Sequence, residues 1–202
     1  MQFAFTEEQE LLRRESRSVL ARGGWDRAEV AELGFLDRAV LLEEAGRANR
    51  GEEFVDPEAP EDERLASLAL EAAGIAQRAL ELAVEHARTR EQFGRPIGAY
   101  QAVSHPLANT YVESELARSL AYWAAWCLAE DDEEAPVAAA AAKSFAGDTA
   151  VAACERAIQV LGGIGFTWEH PLHTYYKRAL EIQAYGGYSR ELRARIAAWL
   201  LD

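Results

Sequence analysis

Apolar residues recur at three- and four-residue steps through most of this chain, and the clearest run is Leu65, Leu68, Ala72, Ile75, Ala79 and Leu82. That spacing puts them on one face of a helix from about Glu61 to Arg90. A second long helix is predicted from about Ala99 to Glu130, crossing Val103, Leu107, Val112, Leu116 and Leu120. A third follows Pro136, which suits a first helical position because its missing N–H would be unpaired there anyway. It ends at Leu161, before Gly162-Gly163-Ile164-Gly165. A shorter helix spans about Leu172 to Ala184, Gly186-Gly187 interrupts it, and a last one runs to Leu201. Ahead of these, Thr6 with Gln9 reads as a capping box opening a helix through about Leu20, with Leu11, Leu12 and Val19 on its apolar side. Gly23-Gly24 breaks it, Asp26 with Glu29 caps a short helix ending near Gly34, and another helix runs from about Asp37 to Ala48, burying Val40, Leu41, Leu42 and Ala45. No strand pattern of useful length appears. Helices joined by short turns predict an all-α fold, an antiparallel helical bundle.

The pattern changes once, at Asn49 to Pro60 (NRGEEFVDPEAP), where prolines, a glycine and carboxylates crowd together. This divides the chain into an N-terminal helical segment (1–48), an acidic linker (49–60) and a C-terminal bundle (61–202). Half of the 202 residues are hydrophobic, which is enough to bury a core. The formal net charge of −13 excludes nucleic acid as a natural partner, since phosphate binding needs a basic surface, and is read as serving solubility. Cys127 and Cys154 lie in apolar helical stretches without CxxC spacing, so they are expected as buried thiols, with no metal site. The first residues, Met1 to Phe5, lack a basic-then-apolar signal pattern, and no apolar run reaches the roughly 20 residues that span a bilayer. A cytoplasmic location and no membrane partner are expected.

Two stretches carry candidate chemistry. Arg90-Glu91-Gln92-Phe93-Gly94-Arg95-Pro96-Ile97 combines a helix end, a cation, an aromatic ring and a turn. Such residues fit a capped helix–turn–helix, because a cation near a helix C-terminus is favoured by the dipole. They also fit binding, because arginine grips phosphate with two prongs and a ring can stack on a flat ligand. Gln159-Val160-Leu161-Gly162-Gly163-Ile164-Gly165-Phe166 is either a flexible helix stop or a backbone that another molecule can approach closely.

Taken in order, RxQFGRPIxxxQAV, AAKSFAGD (Ala141 to Asp148), QVLGGIGFTWEHPL and a closing helix pair resemble the C-terminal domain of the acyl-CoA dehydrogenase family over about Leu65 to Leu201. FTEEQELLRRESRSVLA, WDRAEVAELGFL and LLEEAGRAN resemble the start of the same family more loosely. The resemblance implies α,β-dehydrogenation of an acyl-CoA: a carboxylate takes the α-proton, the β-hydrogen leaves as hydride to FAD, and an electron-transfer flavoprotein takes the electrons. It assigns FAD binding, across a subunit interface, to Arg90, Gln92, Phe93, Gln159, Gly162 and Gly163.

Two departures stand out. The linker has no room for the β-domain that the family inserts between its N-terminal and C-terminal helices. Where many members carry a glutamate in Tyr-Glu-Gly-Thr, this chain has Tyr185-Gly186-Gly187-Tyr188. Other members carry the base in Glu-Arg-Leu at the start of the first long C-terminal helix, and Glu63-Arg64-Leu65 has that look, making Glu63 and Arg64 the catalytic candidates. Counted back from Gly74, however, Glu63 sits one residue too far out, which is about 100° of helix rotation. The resemblance therefore implies first a base-lacking subunit completing the FAD site of a full-length acyl-CoA dehydrogenase-like partner, as in heteromers of bacterial steroid side-chain oxidisers. The alternatives are a self-sufficient dehydrogenase using Glu63, and a non-enzymatic helical scaffold or regulatory subunit.

Overall fold

The computed structural model describes residues 5–22, 25 and 27–201. Eight α-helices appear among them: α1 (Glu7–Arg22), α2 (Arg27–Ala31), α3 (Phe35–Arg47), α4 (Glu61–Thr89), α5 (Gln101–Ala129), α6 (Ala135–Leu161), α7 (Leu172–Ala184) and α8 (Ser189–Leu201). The Gly23-Gly24 break and the Asp26 cap lie outside the described residues. The capping box is formed as its spacing dictates. Gln9 N–H donates to Thr6 Oγ1 and Thr6 N–H to Gln9 Oε1, both at 3.2 Å.

Helices α4, α5 and α6 run up–down–up and each packs on the other two, so α4 and α6 run parallel and their C-termini share one end of the bundle. α4 is central, packed by α3, α5, α6 and α7. All six of its predicted apolar positions are buried, but burial extends around the whole helix from Leu65 to Ile75. Two strands of two residues each, β1 (Glu91–Gln92) and β2 (Arg95–Pro96), make a small hairpin between α4 and α5. The alternation is too short to read from sequence.

Two apolar assignments are corrected. On α5, Val112 and Leu116 are more than half exposed. The helix buries its small face instead, through Ala117, Ala121, Ala124 and Ala125. Small side chains let two long helices approach closely, so alanine outcompetes the larger residues for the inner face. On α1, Leu11 is exposed while Ser16 and Leu20 face inward. Arginines anchor α1 beside Leu20: Arg13 and Arg17 reach the fully buried Glu44 of α3, with N–O distances of 3.0 and 2.8 Å.

The crossing of α3 and α4 is set by glycines. A Cβ at Gly74 would overlap the Glu43 carbonyl, and one at Gly46 would overlap the Glu71 backbone. Gly74→Ala should therefore force the helices apart and destabilise by about 1–3 kcal/mol or more, measured as a lower urea midpoint with an unchanged slope.

The acidic stretch 49–60 is folded against the bundle. Phe54 and Gly51 are buried, and Gly51 sits directly on the Glu71 side chain. Beneath it, Glu71 of α4 and Arg178 of α7 pair through two hydrogen bonds of 2.7 and 2.9 Å. No helix among the described residues is long and apolar enough to cross a membrane.

Candidate cofactor edge and acyl cleft

The two glycine-bearing motifs follow the C-termini of α4 and α6 and so lie at the same end of the bundle. His86 near the end of α4 lies close enough to His170, past the glycine turn, to help lower the His170 pKa, after burial as the main cause. Arg90 closes α4 with extended backbone, and its carbonyl accepts the Ile97 N–H across the hairpin at 2.8 Å. The hairpin tip places Phe93 at positive φ (54°) with its ring 93% exposed, edge-on to Tyr100 at 6.5 Å. The Arg95 guanidinium stacks 4.0 Å over Tyr100, whose hydroxyl donates to the Gln92 carbonyl. The hairpin is thus braced from behind and presents its ring outward.

Arg90, Gln92, Gln159, Gly162 and Gly163 are also exposed. The Arg90 and Gln159 side chains make no hydrogen bond or ion pair with the other described residues. Gly162 has φ 65°, where a side chain would be strained, whereas nothing within 4 Å would meet a Cβ at Gly163. Internal packing therefore gives no reason for glycine at 163. The edge offers what a flat anionic dinucleotide such as FAD needs: a guanidinium, an aromatic face, amide groups and accessible backbone.

A cleft of about 440 Å³ opens near the other end of α4, lined by Val55 and Pro57 of the acidic stretch, Leu68 of α4, and Arg178, Ile182 and Tyr185 of α7 and its end. The Tyr185-Gly186 turn borders it, with Gly186 at φ 69° against the Leu65 side chain. Glu63 is not among the lining residues. Two residues from Leu65 is about 200° around a helix, and Glu63 faces α3, where Arg38 holds its carboxylate at 2.6 Å. Arg64 donates to the Pro57 and Ala59 carbonyls, both at 3.1 Å, and its guanidinium lies 5.8 Å from the Tyr185 ring centre. The other first-turn carboxylates, Glu61 and Asp62, lie against Arg195 of α8.

Sequence reasoning assigned no role to the polar residues of AAKSFAGD. Lys143, 1% exposed, donates to the Gln183 and Gly187 carbonyls, and burial lowers its pKa to about 8. Ser189 Oγ donates to the Ser144 carbonyl, and Asp148 accepts from Gln183 Nε2. Together they fix the α7–α8 turn beside the cleft. A lone lysine among alanines was the available signal, because a charge on a buried face demands a partner. Cys127 and Cys154 are buried.

With this geometry in view, comparison with known proteins is decisive. Residues 60–201 match the family model described as acyl-CoA dehydrogenase, C-terminal domain. The chain belongs to the acyl-CoA dehydrogenase family. The acyl-CoA dehydrogenase FadE34 of Mycobacterium tuberculosis is 46% identical over 141 residues, covering 69% of this chain and 20% of FadE34. The structure of butyryl-CoA dehydrogenase from Megasphaera elsdenii aligns with TM-score 0.67 and 34% identity, over 70% of this chain and 37% of that one. The ChsE4–ChsE5 complex of Mycobacterium tuberculosis aligns with TM-score 0.67 and 32% identity, over 70% of this chain and 38% of the matched one. The chain thus spans between a fifth and two fifths of the length of these relatives.

Proposed function

We propose that this chain is a subunit of an FAD-dependent acyl-CoA dehydrogenase assembly, completing the flavin site of a full-length partner rather than forming one alone. One observation carries this reading. The flavin-binding candidates are exposed at one end of α4, while the cleft lies near the other. From Leu68 to Arg90 the helix rise gives about 33 Å, so a flavin held at the edge cannot also serve this chain's own cleft. It serves another polypeptide.

FAD, when bound, supplies the acceptor for the β-hydrogen as hydride. This chain's part is to hold it. Arg90 would meet a phosphate, the exposed Phe93 ring and the accessible Gly162–Gly163 backbone would offer it packing surface, and Gln92 and Gln159 would supply hydrogen bonds. The base and the β-domain come from the partner, in keeping with glycine at position 186, the engagement of Glu63 by Arg38, and the small size of the 49–60 segment. A two-component relative, the ChsE4–ChsE5 complex, makes such a pairing reasonable. The acyl-CoA substrate and the electron-transfer flavoprotein then belong to the assembly.

The test is co-expression with full-length acyl-CoA dehydrogenase subunits, read by flavin absorbance, native mass and acyl-CoA oxidation. The expected result is a yellow hetero-oligomer from a colourless chain. Tight FAD binding and acyl-CoA oxidation by the isolated chain would sink the proposal.

A further inference from the structure

His170 joins the glycine turn to α7 through three hydrogen bonds. Its N–H donates to the Thr167 carbonyl at 3.3 Å, its carbonyl accepts from His173 Nδ1 at 2.8 Å, and its Nδ1 accepts the Leu172 N–H at 3.2 Å. Thr167 in turn bonds back to the Ile164 carbonyl through both its N–H and its hydroxyl. The first N–H of a helix has no partner within the helix, and Pro171, just before α7, brings no side-chain acceptor. His170 supplies it.

An imidazole nitrogen that accepts carries no hydrogen, so the bond from Leu172 exists only while Nδ1 is bare. The neutral ring meets this condition with its hydrogen on Nε2. The protonated ring carries hydrogen on both nitrogens, and the Nδ1–H would then oppose the Leu172 N–H. The added charge also falls at the N-terminus of α7, the positive end of its dipole.

The surroundings act in the same direction. Burial, and after it His86 and Arg78 of α4 and His173 of α7, disfavours a charge on His170 and holds its pKa below the ordinary histidine value. Lys177, also on α7, lies 4.9 Å over the Trp168 ring, and the carboxylate next in the chain, Glu169, is exposed. A histidine with a depressed folded pKa stabilises fully above its unfolded value of about 6.5, and that contribution is lost as pH falls through the folded value.

We propose that His170 is a pH-sensitive latch. Neutral, it caps α7 and ties the 162–169 segment to that helix. Protonated, it gives up the Leu172 N–H and lets the segment loosen from the first turn of α7. The latch requires neither flavin nor partner.

Hydrogen exchange of the full chain, read amide by amide by NMR and corrected for the intrinsic rate at each pH, tests it between about pH 7.5 and pH 5, where histidine titrates. Protection of the Leu172 N–H should fall about 5- to 10-fold across that range, the worth of one net hydrogen bond, while the Ala150 amide inside α6 holds. His170→Asn keeps an acceptor in the place of Nδ1 and cannot titrate, so its Leu172 protection should persist throughout. His170→Ala should be as poorly protected at the upper pH as the unaltered chain is at the lower. The ring shifts of His170 in the unaltered chain should titrate with the same midpoint as the Leu172 protection. Protection independent of pH, a parallel fall at Ala150, an equal fall in His170→Asn, full protection in His170→Ala or a different midpoint each overturns the latch. Flavin and partner are absent from the measurement, so its failure leaves the proposed function standing.

Discussion

Replacing Glu44 with alanine will loosen α1 from the bundle and destabilise the protein by about 3 kcal/mol, the low end of the range for breaking a buried ion pair. Glu44 is fully buried and shared by Arg13, Arg17 and Arg47. Arg17, 55% exposed, can turn to solvent, but Arg47, 10% exposed, cannot, and it is left with Glu81 alone, at 2.8 Å. For a protein of this size the loss corresponds to a melting temperature lower by about 10 °C. The same residue gives the protein an acid limit. Burial pushes the Glu44 pKa up, but hydrogen bonds from Arg17 and Arg13 outweigh it, leaving the pKa below its ordinary value. A carboxylate with a depressed folded pKa stabilises fully above its unfolded pKa of about 4.5 and loses that contribution as pH falls through the folded value. Circular dichroism melts of the unaltered protein should therefore drop steeply below pH 4.5, and Glu44→Ala should flatten that drop. An unchanged melting temperature at pH 7 would remove the ion-pair cluster from the account of α1.

The second large effect falls on the flavin. Arg90→Ala should weaken FAD retention by the hetero-oligomer about 10- to 100-fold, the range for a hydrogen bond to a charged group. Its side chain has no partner among the other described residues, so the melting temperature should hold. Equilibrium dialysis of FAD, beside thermal melts, separates the two readouts. Loss of stability with flavin affinity intact would make Arg90 a structural cap and nothing more. Gln159→Ala tests the same edge from α6 and should act in the same direction, more weakly, because an amide carries no charge.

Much of this was legible in the sequence, for a physical reason. Helix periodicity is a local property, so α4, α7 and α8 fall within a residue or two of where apolar spacing, proline and glycine put them. The capping box is local too, with donor and acceptor three residues apart. RxQFG and QVLGGIG could be recognised as motifs because their chemistry is written in consecutive residues. What they could not disclose was exposure. That Phe93 and Gln159 face outward, on the same end of the bundle, follows only once α4 and α6 run parallel. The buried charges were illegible for the same reason. Glu71 and Arg178 are 107 positions apart, and Arg118 and Glu43 are 75 apart, so only helix packing could pair them. The sequence by itself determined the helices, the family motifs and the missing carboxylate at 186. Tertiary structure decided that Glu63 turns toward Arg38, that Lys143 braces the α7–α8 turn, and that the acidic stretch becomes a cleft wall. A helix is specified by neighbours in the chain, but a site is specified by neighbours in space.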